Sequence, residues 1–331
     1  MSELVQINHL KVDLMSISGL IHAVRDINLT ISSDEIHGIV GESGCGKSMT
    51  AKSILRLHDE SKVEYSGEIL FDGNRDILKM KKKELLKIRG NDISMIFQDP
   101  MTTFNPLLRI GDQISEALLL HQKISKSEAK EKAIAILEKV GILPGAARYN
   151  MYPFEMSGGQ LQRASIAMSL VCDPRLLIAD EPTTALDVTM QAQILKLMKQ
   201  LQGEMHSAVL IITHNFGVIA EICDKVSVMY AGQIIESGDV RRIFGNPCHP
   251  YTKDLIDSIP KSGERATKLI SIPGAPPKLN QTITGCAYAP RCKYATEKCR
   301  CEAPEFHTLD GGHRYLCHLA PDSLSKGGDK A

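Results

Sequence analysis

The sequence predicts an α/β fold built on a largely parallel sheet that is covered by helices on both faces. Strand-like apolar runs alternate with helical segments over most of the chain, which is the pattern of such folds. One of these strands leads into a glycine-rich turn and then a helix. The composition agrees, since 43% of the 331 residues are hydrophobic and 24% are charged. A chain of this length has room for two or more domains.

Charge and hydropathy argue against several classes of protein. The 39 lysines and arginines equal the 39 aspartates and glutamates, so electrostatics give no reason to expect nucleic acid or an anionic membrane surface as a partner. The longest apolar runs, such as 208–212, are too short to cross a membrane, and the N-terminus lacks the pattern of a signal peptide. We therefore expect a protein of the cytosol or of the cytosolic face of a membrane.

The most informative stretch is Gly41-Glu-Ser-Gly-Cys-Gly-Lys-Ser48, which fits the phosphate-binding pattern G-x-x-x-x-G-K-[ST]. The pattern needs a strand before it and a helix after it, and 36–40 and 49–57 have those characters. Glycines let backbone N–H groups turn towards one anion, and the start of the helix adds partial positive charge. Lys47 would reach the β- and γ-phosphates, and the Ser48 hydroxyl would bind Mg²⁺. The alternative is a glycine turn that matches by accident.

The nucleotide contacts predicted from this loop are Gly41, Glu42, Ser43, Gly44, Cys45, Gly46, Lys47, Ser48 and Met49. Cys45 lies beside the start of the helix, where a thiolate is favoured. We therefore expect the Cys45 thiol to be prone to oxidation.

The other elements follow from hydrophobic periodicity. Predicted strands are 4–12, 27–31, 68–71, 93–97, 176–179, 208–213 and 225–230. Predicted helices are 81–89, 159–171 and 189–201, together with a mostly helical block after residue 100. In that block Ser125 and Glu128 form a capping-box pattern ahead of an apolar helix face. From about Phe244 the composition shifts towards Pro, Gly, Cys and Lys, which marks a separate C-terminal appendage.

Three features of the second half of the chain point to chemistry at a nucleotide. The strand before Asp180 and Glu181 ends in these two acids, of which one can hold Mg²⁺ and the other can orient and deprotonate a water. Met156 precedes Ser157-Gly-Gly-Gln160, whose glycine-rich helix start also offers N–H groups to an anion. One subunit does not need two such anion-binding turns for a single γ-phosphate. We therefore expect a dimer in which each Ser157–Gln160 turn faces the partner's nucleotide. His214, after another strand, could contact the γ-phosphate.

Taken singly, these features have simpler interpretations. An acid pair can cap a strand or a helix, a glycine turn often precedes a helix, and a histidine at a strand end is more often structural.

Together the motifs resemble those of the ATP-binding subunits of ABC transporters over nearly the whole chain. Gly41–Ser48 looks like Walker A, Gln98 like the Q-loop glutamine, Ser157–Gln160 like the ABC signature, Asp180 and Glu181 like Walker B and the catalytic glutamate, Ala185–Asp187 like the D-loop, and His214 like the switch histidine. The resemblance implies ATP and Mg²⁺ as ligands. It implies catalytic roles for Glu181, His214 and Gln98, magnesium contacts for Ser48, Gln98 and Asp180, and nucleotide contacts for Asp180, Ser157, Gly158, Gly159, Gln160 and Asp187.

Two positions depart from the family pattern. Met156 replaces the usual leucine of the signature, a volume-conserving change. The region from Ile17 to His22 has no aromatic residue to stack on adenine, so His22 or an aliphatic residue would have to serve.

The C-terminal appendage resembles the tail of oligopeptide and dipeptide importers. The resemblance rests on His249-Pro-Tyr-Thr-Lys-Asp-Leu255, Ile272-Pro-Gly-Ala-Pro-Pro277 and Cys286-Ala-Tyr-Ala-Pro-Arg-Cys292. Nickel importers are close relatives. Such tails can carry an iron–sulfur cluster, whose ligands here would be Cys286, Cys292, Cys299 and Cys317, with Cys301 as a spare. From chemistry alone, four thiolates suit a [4Fe–4S] cluster or zinc, and free buried thiols without a metal are the third interpretation.

The resemblance implies a P-loop NTPase fold of the ABC type with an inserted α-helical subdomain and a Cys-rich C-terminal appendage. The nucleotide-binding domain is predicted at 1–245, with its core at 1–100 and 158–245 and the helical subdomain at 101–157. The appendage is predicted at 246–331. The implied partners are a second, similar ATPase subunit, two transmembrane permease subunits and an extracytoplasmic substrate-binding protein.

The expected place of this chain is the cytoplasmic face of the inner membrane, with residues 98–120 next to the permease. The expected function is ATP-driven import of oligopeptides or dipeptides, with nickel or another small solute as the alternative. A soluble ABC ATPase acting on DNA or ribosomes is the rival class. Such proteins usually have a second cassette, a long coiled coil or a basic surface, none of which this sequence indicates.

Overall fold

The computed structural model describes residues 2–17, 19–184, 186–259 and 272–324. The strands are β1 Glu3–Ser16, β2 Gly19–Ser32, β3 Ile36–Val40, β4 Val63–Phe71, β5 Arg75–Asp76, β6 Ile93–Ile96, β7 Leu176–Asp180, β8 Ala208–Thr213, β9 Lys225–Tyr230, β10 Gln233–Asp239, β11 Phe306–Thr308 and β12 Arg314–Leu316. The helices are α1 Lys47–Ile54, α2 Lys82–Ile88, α3 Pro100–Thr103, α4 Ile110–His121, α5 Lys126–Lys139, α6 Gly145–Tyr149, α7 Gly158–Leu170, α8 Val188–Met205, α9 Phe216–Ile222, α10 Val240–Gly245, α11 Pro250–Asp257 and α12 Glu297–Cys301.

The chain divides into two compact units. The first unit comprises residues 1–4, 31–35 and 79–212, and the second unit comprises 5–30, 36–78 and 213–331. In the part of the chain that the structure describes, no helix combines the length and the apolar character needed to cross a membrane.

The first unit contains parallel strands in the order β6-β7-β8. Every residue of these three strands within the unit is buried, as expected for a parallel sheet whose two faces are both covered. Their apolar runs made them predictable from the sequence, and the predicted strands agree with β7 and β8 to within one residue.

Four helices, α3 to α6, lie between β6 and α7, so the prediction of a mostly helical block is confirmed. The predicted capping box begins α5: the Ser125 hydroxyl accepts the N–H of Glu128, and the Glu128 carboxylate accepts the N–H of Ser125. α5 buries Ala129, Ala133 and Leu137, as the predicted apolar face requires. The limits 101–157 for a helical subdomain stay a prediction.

The second unit contains antiparallel pairings that the sequence did not predict. One sheet has the order β2-β1-β4-β5, in which β1 and β4 pair antiparallel. A second set has the order β3-β9-β10-β12-β11, in which only β3 and β9 are parallel. The expectation of one largely parallel sheet was therefore incomplete. Strands β5, β10, β11 and β12 were not predicted. β5, β11 and β12 have only two or three residues, too few for a periodic signal, whereas β10 has seven.

The core of the second unit combines residues from both sides of the predicted boundary at 245. Tyr230 on β9 contacts Tyr251 and Tyr288, with ring centroids 4.6 and 5.3 Å away. All three rings are buried in the same hydrophobic cluster as Val40 and Leu316. β12 also pairs with β10. The residues after 245 thus share a core with β3 and β9, while the boundary itself stays a prediction.

Candidate nucleotide-binding site

The phosphate loop connects β3 to α1 in the second unit, with glycines where no side chain fits. Gly46 has φ +106°, and a Cβ there would lie 2.5 Å from the carbonyl oxygen of Ala23. A Cβ on Gly41 would lie 2.1 Å from the carbonyl oxygen of Met229. The backbone of the loop therefore requires glycine at these two positions of the pattern.

Lys47 is buried at the first position of α1 and folds back over the loop. Its Nζ donates to the carbonyl oxygens of Gly41 at 2.8 Å and of Glu42 at 2.9 Å. Ser48 follows it, partly buried. The ammonium group is thus fixed at the loop by the backbone, where it can contact a phosphate oxygen.

The surroundings of the Cys45 thiol differ from those expected from the sequence. Its Sγ lies 3.8 Å from Lys47 Nζ, but burial raises the pKa of the Cys45 thiol and outweighs the effect of the neighbouring ammonium group. The prediction of a favoured thiolate was therefore wrong, because it considered the helix start and not the burial.

In the first unit the structure brings together two of the predicted catalytic residues. Gln98, exposed after β6, donates from Nε2 to Glu181 Oε2 at 3.3 Å. Glu181 follows Asp180, which is buried at the carboxyl end of β7. Thr184 also donates to Glu181 Oε2, at 2.8 Å. Parallel strands β6 and β7 end at the same sheet edge, which explains why residues 83 positions apart meet.

Glu181 has an unusual backbone conformation. Its φ is +49°, a left-handed region that is unfavourable for a residue with a side chain, and its N–H donates to the carbonyl oxygen of Ile212. Strain of this kind concentrates at functional sites, where the surrounding structure holds the residue in place. The Glu181 carboxylate is therefore oriented by its backbone as well as by Gln98 and Thr184.

The signature turn and Asp187 also lie in the first unit, and both begin helices. Ser157 and Gln160 form a reciprocal capping box at the start of α7, and Gly158 between them is exposed. Met156, the substituted signature position, is buried. Asp187 accepts the N–H of Met190 at 2.9 Å and begins α8, while Ala185 lies outside the described residues. The start of α7 thus presents N–H groups and a glycine backbone at the surface of the unit.

His214 belongs to the second unit and follows the last residue of β8. Its side chain is exposed. The site residues therefore divide between the units: Gln98, the signature turn, Asp180, Glu181 and Asp187 lie in the first, and the phosphate loop and His214 lie in the second.

Sequence reasoning missed three residues that contact the predicted site. Thr184 holds the Glu181 carboxylate, Tyr251 accepts the backbone N–H of Glu42 at 3.0 Å, and Arg291 pairs with the Glu42 carboxylate. Tyr251 and Arg291 lie in two of the tail motifs. Their place in these motifs was the one sequence signal that could have pointed to them. Nothing local to these motifs indicates contact with a loop more than 200 residues earlier.

The four predicted metal-binding cysteines lie around one small cavity in the second unit. It is lined by Cys286, Cys292, Cys299 and Cys317, together with His249 and His318. Burial raises the pKa of Cys286, Cys292 and Cys317, the last to about 11. Cys301 does not line this cavity; it is exposed and its thiol contacts Glu297. Cys301 is therefore not placed to act as the spare ligand.

The cysteine cavity fits a thiolate-bound group. The backbone N–H of Leu319 donates to Cys317 Sγ at 3.5 Å. Backbone hydrogen bonding from Tyr288 and Ala289 to Cys286, and from Tyr294 to Cys292, partly offsets the effect of burial on the pKa of these thiols. Such donors stabilise thiolate ligands and tune the group they hold. Four thiolates suit zinc or a [4Fe–4S] cluster by chemistry. Among the described residues, however, these sulfurs do not form a group of three or more within 4.8 Å of one another, so the spacing of a closed zinc site is not observed.

Comparison with protein families gives two matches. Residues 24–184 match the family described as ABC transporter, and residues 235–299 match the C-terminal region of oligopeptide/dipeptide transporters. The chain is 45% identical over 321 residues to the oligopeptide transport ATP-binding protein OppD of Salmonella typhimurium, covering 97% of this chain and 95% of that one. It is 46% identical to a probable peptide ABC transporter ATP-binding protein, y4tR, of Sinorhizobium fredii, covering 95% and 94%.

Solved structures agree with the fold. The ATP-binding cassette MJ0796, in a dimeric post-hydrolysis state bound to ADP and Pi, superposes with a TM-score of 0.64 at 27% identity over 72% of this chain and 99% of that chain. CbiO1 of Clostridium perfringens, part of the ABC transporter complex cbiONQ, gives 0.63 at 28% identity over 74% and 92%. The chain therefore belongs to the ABC transporter family of ATP-binding proteins. It is an ATPase that works with transmembrane permease components.

Proposed function

We propose that this chain is the subunit that hydrolyses ATP to energise the import of oligopeptides or dipeptides. The observation that carries the proposal is similarity over nearly the whole length, tail included, to relatives named for peptide transport. A cassette alone would be compatible with many transported substrates. Nickel or another small solute stays the second candidate, since nickel importers have similar tails.

The chemistry proposed for the site follows from its motifs. The loop 41–48 and Lys47 would bind the phosphates. Ser48, Asp180 and Gln98 would hold Mg²⁺, which would neutralise charge on the phosphates. Glu181 orients and polarises the attacking water, and its observed contacts with Gln98 and Thr184 favour this role because they fix the carboxylate. His214 contacts the γ-phosphate.

The proposed assembly contains two ATPase subunits. The turn 157–160, of which Ser157 and Gly158 are exposed, faces the partner's nucleotide. Each ATP is thus bound by the phosphate loop of one subunit and the signature of the other. The partner is a second, similar chain. ATP closes the pair and hydrolysis reopens it, which drives alternating access in the permease.

The surface after Gln98 suits a permease at the cytoplasmic face of the membrane. Between residues 97 and 120, large apolar side chains are exposed at Phe97, Met101, Leu107, Leu108, Leu119 and Leu120. Clusters of exposed apolar side chains are typical of protein interfaces. Two permease subunits and an external binding protein that selects the peptide complete the proposed importer.

Replacing Glu181 by Gln tests the catalytic assignment. The amide keeps the shape of the side chain and removes the carboxylate that polarises water, so we expect ATP to bind while turnover falls by about 100-fold or more. Binding would be measured with a fluorescent ATP analogue and turnover by phosphate release. Wild-type turnover in E181Q would refute the role of Glu181.

We also propose that Cys286, Cys292, Cys299 and Cys317 hold a [4Fe–4S] cluster with a structural role. The family resemblance favours iron–sulfur over zinc, and the position of four cysteines around one cavity supports a bound group. Protein purified without oxygen should show brown visible absorbance and about four irons per chain. Colourless protein loaded with zinc would refute the cluster, and Cys301→Ser should leave the metal content unchanged.

A further inference from the structure

The acidic residue of the phosphate loop is held by an arginine of the C-terminal appendage. Arg291 Nη1 donates to Glu42 Oε2 at 2.7 Å, and Nη2 donates to Glu42 Oε1 at 2.9 Å. The same residue is anchored through its backbone, because its N–H donates to Tyr251 Oη and its carbonyl accepts from Lys47 Nζ. The side chain and the backbone of Glu42 are therefore both held in place. Of its three partners, Tyr251 and Arg291 come from the tail and Lys47 from the phosphate loop.

Arg291 is itself fixed in the appendage. Its side chain is 5% exposed, and its guanidinium lies within 6 Å of the ring centres of Tyr230 and Tyr288. Nε donates to the carbonyl oxygen of Pro273 at 2.8 Å, and Nη2 donates to that of Ile272 at 3.3 Å. A planar guanidinium with this many partners has one orientation, so it holds the carboxylate as a rigid clamp.

The charge of Glu42 makes this contact relevant to ATP. A carboxylate in a loop that binds polyphosphate repels its ligand unless a cation neutralises it. Two Arg291 nitrogens donate to the Glu42 carboxylate, and hydrogen bonding to Glu42 raises the pKa of Arg291 above its ordinary value. Because the pair is largely buried, solvent screens the carboxylate poorly once Arg291 is removed.

We propose that Arg291 is a positioning residue for the phosphate loop, through which the appendage sets the affinity of this subunit for ATP. It neutralises Glu42 and fixes the start of the loop, so that the N–H groups and Lys47 face the phosphates. The tail is then part of the ATP-binding machinery and contributes to it without touching the nucleotide.

The test is a double-mutant cycle of Arg291 and Glu42 in the full-length protein, in which the dissociation constant of ATP is measured for each variant. Arg291→Gln should weaken ATP binding about tenfold, which corresponds to about 1.4 kcal/mol. Glu42→Gln should weaken ATP binding less than Arg291→Gln does, because it removes the repulsive charge while its amide oxygen can still accept a hydrogen bond from Arg291. The double variant E42Q/R291Q should bind ATP at least about threefold more tightly than R291Q. R291K, which keeps the charge and loses the bidentate geometry, should lie between R291Q and the wild type.

Arg300→Gln is the matched control, since Arg300 lies in the same appendage and is exposed. It should bind ATP like the wild type, and unfolding midpoints would be recorded for every variant. If R291Q fails to fold, the comparison of R291K with R291K/E42Q takes its place. The proposal is overturned if R291Q binds ATP like R300Q, or if E42Q gives no rescue, which is the result for an arginine that only stabilises the tail.

The proposal rests on residues 41–48 being the ATP site. Lys47→Ala is the reference for that assignment. If K47A binds ATP like the wild type, the assignment of the site fails, whereas a defect in K47A without one in R291Q contradicts the role of Arg291 alone.

Discussion

At the scale of single residues, the phosphate loop shows what a pattern can and cannot predict. Gly41, Gly46 and Lys47 were predictable because each meets a local requirement: close approach of two backbones, a positive φ, or a cation at a helix start. The clamp between Glu42 and Arg291 was not predictable, because its partners are 249 residues apart and neither of their motifs indicates contact with the other. The burial that raises the pKa of Cys45 is likewise a tertiary property.

Gly46→Ala should destabilise the protein by about 2 kcal/mol and weaken ATP binding, since alanine disfavours φ +106° and its Cβ meets the carbonyl of Ala23. Urea denaturation and ATP titration would measure the two effects. Gly203→Ala is the control: this helical glycine of α8 is exposed with open space around it, so the substitution should stabilise by about 0.5–1 kcal/mol. Equal effects of G46A and G203A would contradict the account of the loop.

At the scale of elements, long periodic segments were predicted well and short or antiparallel ones were not. The face and the capping box of α5 agree with the structure, as do the buried strands β7 and β8. The antiparallel pairing of β1 with β4 was missed because alternation in a strand does not identify its partner. The helix α11 was not predicted, and its first turn depends on a buried histidine.

His249 begins α11, and its Nδ1 accepts the N–H of Tyr251. Burial lowers the pKa of His249 to about 4, although the acids Glu236 and Asp254 act in the opposite direction. An unfolded chain takes up this proton near pH 6.5, so the stability from neutral His249 is present above pH 6.5 and is lost as the pH falls towards 4. The loss should reach about 3 kcal/mol in urea denaturation at pH 4.

The variant His249→Asn keeps an acceptor for the helix start and removes the titration. The difference in unfolding free energy between pH 7 and pH 4 should therefore be smaller in H249N than in the wild type, by up to about 3 kcal/mol. His206→Asn is the control, because the side chain of His206 is 81% exposed. An unchanged pH dependence in H249N would contradict the buried, neutral state of His249.

At the scale of the whole molecule, the chain contains the parts of an ATPase site and a tail that contributes to it. The signature turn at the start of α7 is exposed, which suits binding to a second subunit, and the phosphate loop is fixed by Tyr251 and Arg291 of the tail. The sequence predicted the motifs and the need for a partner. It did not predict that the residues after 245 share a core with β3 and β9, because composition marks a change of segment without showing where that segment packs.

The most direct test of the central claim, that ATP hydrolysis at Glu181 energises peptide import, is uptake of a radiolabelled oligopeptide by cells whose own gene carries E181Q. Uptake should fall to the level of a gene deletion while the amount of the protein is unchanged, and wild-type uptake should return when the unaltered gene is supplied. Normal peptide uptake in the E181Q cells, in which no second copy of the gene is present, would contradict the claim.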